Sequence, residues 1–458
     1  MPELPQSLLD SLQGTPGYNP EAFIEVHRSS KRLTSVRFNP LKTDMQPVQH
    51  GGDYPFGDTT ATLEAVPWSR TGFYLSPRPS FTFDPLLHAG GYYVQEASSM
   101  FLEQAITQLA PTDRPLRVLD LSAAPGGKST HLISLLPQDS LLVSNEVIRG
   151  RANILADNLT RWGRPEFLVT NNDPRDLSRL PGFFDIIVAD APCSGSGLFR
   201  KDPEAITEWS LNNVTLCAQR QQRILADAWP ALKPGGLLIY STCSYSTAEN
   251  EDIKNWLVRE MNAEVRQILL NADWGITESQ GGYRFWPDKA AGEGFFMACV
   301  QKPAGGETSN LRPGRLNAAA RTGAALAARF LENRDWRFVQ HENDLYAWPS
   351  AVANDMAIIL ERLRVIHSGI RVGELMRDKI VPNHSLAMSI HLDRALPGID
   401  LDLPQAIAYL QRKDVSINTN GKGWQLVKYM DRPLGWVNVL PNRINNYYPK
   451  ELRILKDK

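Results

Sequence analysis

Cysteine is scarce in this chain of 458 residues: there are four, and no two of them are spaced like metal ligands. That excludes a disulfide scaffold and a cysteine-built metal site, and it predicts a reducing compartment. No apolar run approaches the roughly 20 residues needed to cross a bilayer. The opening "MPELPQSLLDSLQG" has no basic leader ahead of an apolar segment, so neither secretion nor a membrane partner is expected. A cytoplasmic monomer without a metal is the expectation. Internal repeats and low-complexity segments are also missing. Nor is there an excess of one charge, with 49 Lys and Arg against 50 Asp and Glu. Near neutrality argues against a nucleic-acid partner until the distribution is read. Residues 403–458 hold ten Lys and Arg and four Asp and Glu, a basic end on a mildly acidic body. Such an end suits a polyanion; a solvated lysine-rich tail is the plainer alternative.

What is present is the composition of a globular enzyme, 42% hydrophobic and 22% charged. The length exceeds one compact core, so two or three domains are expected. Residues 1–90 are rich in Pro, Gly and polar residues, with helix starts at "LPQSLLDSL" and "NPEAFIEVH". Short apolar runs then alternate with helix-length segments. Segments 116–123, 140–147, 166–172, 184–192 and 236–244 read as buried strands, and 294–302 as a further strand closing the unit. Near-continuous apolar strands separated by helices predict an α/β fold, a parallel sheet covered on both faces. Residues 303–315, polar and rich in Gly and Pro, read as a linker. An Ala-rich helix near 317–332 and a more β-like end follow.

The first predicted strand runs into "DLSAAPGGKST", which sets Gly126 and Gly127 at the start of a helix. Ligands of open parallel sheets bind beyond the carboxyl ends of the strands. Glycines there admit a close ligand, and a helix N-terminus favours a negative group. The spacing matches neither a dinucleotide fingerprint nor a phosphate loop. Adjacent glycines followed by Lys128 suit a smaller anion such as a carboxylate. The second strand ends at Glu146, placed to take ribose hydroxyls, and the third at Asp173, placed to meet an adenine amino group. A nucleoside bearing a carboxylate and no pyrophosphate is S-adenosylmethionine.

The fourth strand ends in "ADAPCSGSG", with Asp190 and Cys193, and the fifth at Cys243 in "STCSYSTAENE". If those strands are neighbours, both thiols face one cleft. Beside a methyl donor, a thiolate that adds to carbon 6 of cytosine makes carbon 5 nucleophilic. The target base must then be unstacked. These residues alone do not say which cysteine attacks.

"DLSAAPGGKST", "ADAPCSGSG" and "STCSYSTAENE" resemble the signature motifs of the Nol/Nop/Sun family of RNA cytosine-5 methyltransferases. "TSVRFNPLK", "GYYVQEASSM", "FRKDPEAITEW" and "GEGFFMA" continue the resemblance, in the family's order, over about residues 35–302. The resemblance implies a Rossmann-like domain over 91–302 and makes Cys243 the nucleophile, with Cys193 aiding release and Asp190 at the cytosine N3. It also implies cofactor contacts from Ser122, Ala123, Ala124, Pro125, Gly126, Gly127, Lys128, Glu146, Asp173 and Asp190. DNA cytosine methyltransferases share the arrangement but attack with the Pro-Cys thiol. Ser122 and Pro174 depart from the family's usual residues. "GWVNVLPNRINNYYPKELR" is similar to the PUA-like tail of the ribosomal RNA small subunit methyltransferase F group, which makes 316–458 an α+β RNA-binding region. Ribosomal RNA or a small ribosomal subunit is the expected partner, with transfer RNA or an idle assembly role as alternatives. Expected RNA contacts are Arg37 and Asn39 on the N-terminal region, Arg200 and Lys201 after the Cys193 loop, and Arg443, Lys450 and Arg453 at the end with Trp436, Tyr447 and Tyr448, rings for which the core of a small barrel is the alternative, above all for Trp436.

Overall fold

The computed structural model describes residues 3–29, 32–45, 48, 52–305, 310–415, 419 and 421–457. Its N-terminal part is a five-stranded antiparallel sheet in the order Gly52–Phe56, Thr59–Ala65, Gly72–Ser76, Ser35–Phe38, Tyr92–Val94. The last of these strands lies beyond the boundary expected at residue 90. Val36, Phe38, Phe56, Phe73 and Tyr92 fill its core, with the Phe38 and Phe73 rings edge to face at 5.7 Å. Two short helices, Gln6–Ser11 and Pro20–Arg28, precede it as predicted. The second is capped by the Asn19 side chain, which accepts from the Ala22 amide at 3.2 Å.

One expectation fails here. Arg37 and Asn39, expected to meet RNA, alternate with Val36 and Phe38 along "TSVRFNPLK" and share one face of the strand, yet both are fully buried. The strand is covered on its second face by the following domain. Arg37 donates to Gln95 Oε1 at 2.8 Å, to Thr130 Oγ1 at 2.7 Å and to the Gly127 carbonyl at 3.3 Å. Its guanidinium lies 4.5 Å from the Trp162 ring, and burial pulls its pKa down to about 9. Asn39 donates to the carbonyls of Gly90 and Trp162. Alternation names the two faces of a strand; it does not say whether the second meets water or protein.

The central sheet runs Thr277–Ser279, Gly282–Phe285, Phe295–Gln301, Leu232–Thr242, Phe184–Asp190, Arg117–Asp120, Leu141–Asn145, Phe167–Thr170, Val365–Ser368. The five strands from Leu232–Thr242 to Phe167–Thr170 are mutually parallel, and Phe295–Gln301 pairs antiparallel beside them. All six lie where the apolar runs set them. Alternate residues serve opposite layers. Val118, Leu142 and Ile186 pack on Leu132 and Leu155, from helices Gly127–Leu135 and Arg149–Trp162. Leu119, Val143 and Ile187 pack on the other side with Leu225 and Leu257, from helices Leu211–Ala228 and Glu251–Met261. Each such side chain contributes roughly 1.5–3 kcal/mol by leaving water.

Part of the predicted linker, residues 306–309, lies outside the described residues. Beyond it the chain returns to the central sheet. Helix Ser350–Arg362 packs Met356 and Ile359 on the second layer, and Val365–Ser368 pairs antiparallel with Phe167–Thr170. Two four-stranded sheets complete the molecule, one over Trp336–Pro382 and one over Gly398–Asn446. The region 316–458, read as a single unit, thus contains two sheets and lends a strand to a third. Trp436 and Tyr448, open between base stacking and a core position, are core residues of this end. Tyr447, Arg443, Lys450 and Arg453 are exposed. Among the described residues no helix is long and apolar enough to cross a membrane.

Candidate active site

The strand order places the ends of Arg117–Asp120 and Phe184–Asp190 side by side, at the point where the chain reverses its progress across the sheet. From the first of these the loop Ser122–Gly126 leads into helix Gly127–Leu135. Gly126 has a left-handed backbone (φ 116), which a side chain would strain. Arg151 donates to the Ala124 carbonyl at 2.7 Å, and Asn158 donates to the Pro125 carbonyl at 2.8 Å. Lys128 is ion-paired with Asp190 at 2.8 Å, and Asp190 also accepts from Ser241 Oγ at 2.7 Å.

Asp120, at the root of the loop, is buried. One oxygen accepts from Ser129 Oγ at 2.6 Å and the other has no partner. Burial raises its pKa to about 7. Glu146 ends the next strand and accepts from the Ile148 amide, beside the half-exposed apolar side chains of Val147 and Ile148. Asp173 is partly exposed and caps the short helix Pro174–Arg179. That explains Pro174: at the first helical position its missing N–H costs nothing. A helix N-terminus with an ammonium, a carboxylate beside exposed apolar side chains, a further carboxylate and an unpartnered buried oxygen form the donor and acceptor set that an amino-acid nucleoside requires. The residues fit S-adenosylmethionine.

The two cysteines meet. Strands Phe184–Asp190 and Leu232–Thr242 are neighbours with Ser241 opposite Asp190, so both chains leave the sheet at one edge. Cys193 Sγ and Cys243 Sγ are 3.0 Å apart and unbridged. The loops they stand on are tied together. The Gly197 amide donates to the Cys243 carbonyl at 2.8 Å and the Tyr245 amide to Ser196 Oγ at 2.9 Å. The acidic run "AENE" faces inward: Glu249 binds Ser194 and Ser244, while Glu251 forms a buried ion pair with Arg284, which also donates to the Tyr245 carbonyl. The hydrogen bond between the sulfurs, followed by burial, raises the pKa of Cys193 well above the ordinary thiol value.

Comparison with known proteins now decides the family. A model described as 16S rRNA methyltransferase RsmB/F matches residues 106–301. Models of the RsmF N-terminal domain, first C-terminal domain and PUA domain match 4–97, 325–390 and 397–454. Ribosomal RNA small subunit methyltransferase F of Shewanella loihica is 30% identical over 91% of this chain and 88% of its own. That of Psychromonas ingrahamii is 30% identical over 98% and 97%. The chain belongs to the RsmB/F family of 16S rRNA methyltransferases. A methyltransferase homologue from Pyrococcus horikoshii, 29% identical, superposes with a TM-score of 0.50 over 65% of this chain and all of that one. NSun6 from the same organism, solved with SFG, shares the fold at 18% identity, with a TM-score of 0.55 over 66% and 98%.

As a member of the RsmB/F family the protein is an S-adenosylmethionine-dependent RNA methyltransferase. Around its sheet edge the structure gathers Ser122–Lys128, Glu146, Asp173, Asp190, Cys193 and Cys243, the residues the motifs named. Arg200 is not with them. It is buried beneath the loop, donating to the Gly292 carbonyl at 3.0 Å near Glu293, so it supports the "GEG" turn and does not face a phosphate. Lys201 is exposed. With Arg32 and Arg78 it lines a cleft of about 610 Å³ between the N-terminal sheet and the catalytic loops. Arg32, Arg78, Arg151, Asp120, Glu249 and Arg284 were missed. Glu249 and Glu251 carried a readable signal, an acidic pair directly after a strand-end cysteine; the others carried none.

Proposed function

We propose that this protein methylates carbon 5 of a cytosine in small-subunit ribosomal RNA, with Cys243 as the attacking sulfur. The observation that carries the reading is the pair of sulfurs 3.0 Å apart beside the Asp190–Lys128 ion pair. Carbon 5 of cytosine is a weak nucleophile. Addition of the Cys243 thiolate to carbon 6 uses up the ring double bond and gives carbon 5 enamine character. Asp190 accepts from the amino group beside N3 and so holds the ring, while the Lys128 ammonium, ion-paired with Asp190, offsets the negative charge that collects on the ring as the thiolate adds. S-adenosylmethionine, when bound, supplies the methyl group in activated form. Loss of the carbon 5 proton to a base restores the double bond and expels Cys243. Cys193, whose raised pKa keeps its proton in place, donates a hydrogen bond to the departing thiolate.

The target base must leave its stack to reach these sulfurs. Arg32, Arg78 and Lys201 offer phosphate contacts along the cleft. Arg443, Lys450 and Arg453, with the exposed ring of Tyr447, offer phosphate and stacking contacts on the C-terminal sheet. The relatives named for the small ribosomal subunit favour ribosomal over transfer RNA, and hence the cytoplasm as the place of action.

RNA carrying 5-fluorocytidine tests the assignment, because the fluorine blocks release and traps the adduct. Wild type is expected to be captured and C243A to lose capture entirely, with C193A accumulating adduct on unmodified RNA. Capture by C243A but not by C193A would overturn the roles. Bisulfite sequencing of RNA from cells with and without the gene then locates the cytosine.

A further inference from the structure

We propose that Glu249 is the positioning residue that holds the two sulfurs in register, by bracing the Cys193 loop against the Cys243 loop. The inference rests on the catalytic reading above. Neither loop is helix or strand at its cysteine, so sheet pairing stops fixing the chain just before each sulfur. Glu249 takes over there. One oxygen accepts from the Ser194 amide at 2.7 Å and from Gln221 Nε2 at 3.4 Å. The other accepts from Ser194 Oγ and from Ser244 Oγ, each at 2.6 Å. Ser194 follows Cys193 and Ser244 follows Cys243, so one carboxylate grips the residue after each nucleophile candidate.

The brace is itself anchored. Tyr240 Oη donates to the Glu249 carbonyl at 2.6 Å, fixing its backbone to the strand that delivers Cys243. Gln221, which donates also to the Pro192 carbonyl at 3.0 Å, ties it to the helix behind. Glu249 is fully buried. A buried carboxylate is stable only when donors surround it, and charge-assisted hydrogen bonds are the strong ones. Releasing either loop would strip Glu249 of donors, so loop geometry and carboxylate solvation stand or fall together. No hydrogen bond of its carboxylate reaches either sulfur, which makes it a positioning residue. Its charge adds a second effect, since it disfavours ionisation of Cys193.

Two readouts on the full chain separate this role from general support of the fold. The first is the rate of covalent capture of 5-fluorocytidine RNA, with RNA affinity, S-adenosylhomocysteine affinity and melting temperature measured alongside. A 1 Å misplacement of reacting groups costs about a hundredfold. We expect E249A to slow capture by about that factor while both affinities stay within about threefold. E249Q should recover most of the rate. Its amide oxygen can take the Ser194 N–H, and its amide nitrogen can donate to the two hydroxyls, which rotate to accept. The second readout needs no catalysis: bridging of Cys193 to Cys243 by a short dithiol-specific reagent, in a C217S background. It should be fast in wild type and E249Q and slow in E249A. A folded E249A that captures RNA and bridges its thiols at the wild-type rate would refute the brace. If E249A does not fold, the S194A/S244A double variant decides: about a tenfold loss in both readouts supports the brace, and no loss refutes it. Failure of the catalytic reading looks different, because C243A would then capture RNA while the bridging difference persists.

Discussion

Two buried carboxylates sit on the two halves of the sheet edge, and they are treated differently. Asp120, under the cofactor loop, has a single donor on one oxygen and nothing on the other. Glu249, under the cysteine loops, has four donors shared between two oxygens. The cofactor half is shaped by backbone: a left-handed glycine, a helix N-terminus, and carbonyls held by Arg151 and Asn158. The cysteine half is shaped by buried side chains that leave no freedom. A ligand can settle into a cradle and complete it. On the proposed chemistry a sulfur attacks a carbon and has to arrive in contact already aligned, so the chain around it must be fixed beforehand.

Alanine at Gly197 should have the largest effect on this contrast. A methyl group there would sit 2.4 Å from the Gly294 carbonyl oxygen and 2.7 Å from that of Cys243. Backbone must shift, and shifting it moves Cys243, the proposed nucleophile. RNA capture by G197A should fall about a hundredfold, with S-adenosylhomocysteine affinity unchanged by calorimetry. A loss of cofactor binding in proportion would mean that the halves are not separately built.

At Gly126 a smaller effect of the opposite kind is expected. The φ of 116 and the Leu155 methyl 3.2 Å from an added Cβ both oppose a side chain. G126A should lose about 1–2 kcal/mol of stability and bind S-adenosylhomocysteine about tenfold more weakly, while bridging of Cys193 to Cys243 proceeds as in wild type. Equal damage to both readouts would break the comparison.

Asp120 gives the most pH-dependent effect. Its pKa is raised from 3.8 to about 7, so the folded protein keeps a proton that the unfolded chain releases. Its stabilising contribution is therefore complete below about pH 4 and is lost as the pH rises toward 7. The neutral isostere D120N lacks that dependence. The melting temperature of wild type relative to D120N should fall steadily between pH 4 and 7; parallel curves would show that Asp120 is ionised throughout.

Much of the candidate site was legible because its residues stand at strand ends. An apolar run that stops at a Gly-Gly, at Glu146 or at a Pro-Cys announces both the strand and the edge where its last side chains emerge. The brace was half legible: "AENE" is an acidic run directly after Cys243, but nothing local says that Glu249 turns inward to Ser194, 55 residues earlier. Arg37 and Arg200, expected on RNA, are buried, and Trp436 was left open between base and core, for one shared reason. A cation or an aromatic ring in a polar stretch is equally at home on RNA or in a junction between domains, and local sequence does not distinguish the two.

The sequence by itself determined the five parallel strands, their helices, the glycine loop and the strand-end position of each cysteine, since each depends on residues within one turn or one strand. Only the tertiary structure decided which charges face solvent. Burial of Arg37 against Thr130, or closure of Glu249 on both loops, depends on surfaces that meet only after the chain has folded. The physical reason is that a charged group's role is set by what desolvates it, and the desolvating neighbours here come from distant parts of the chain.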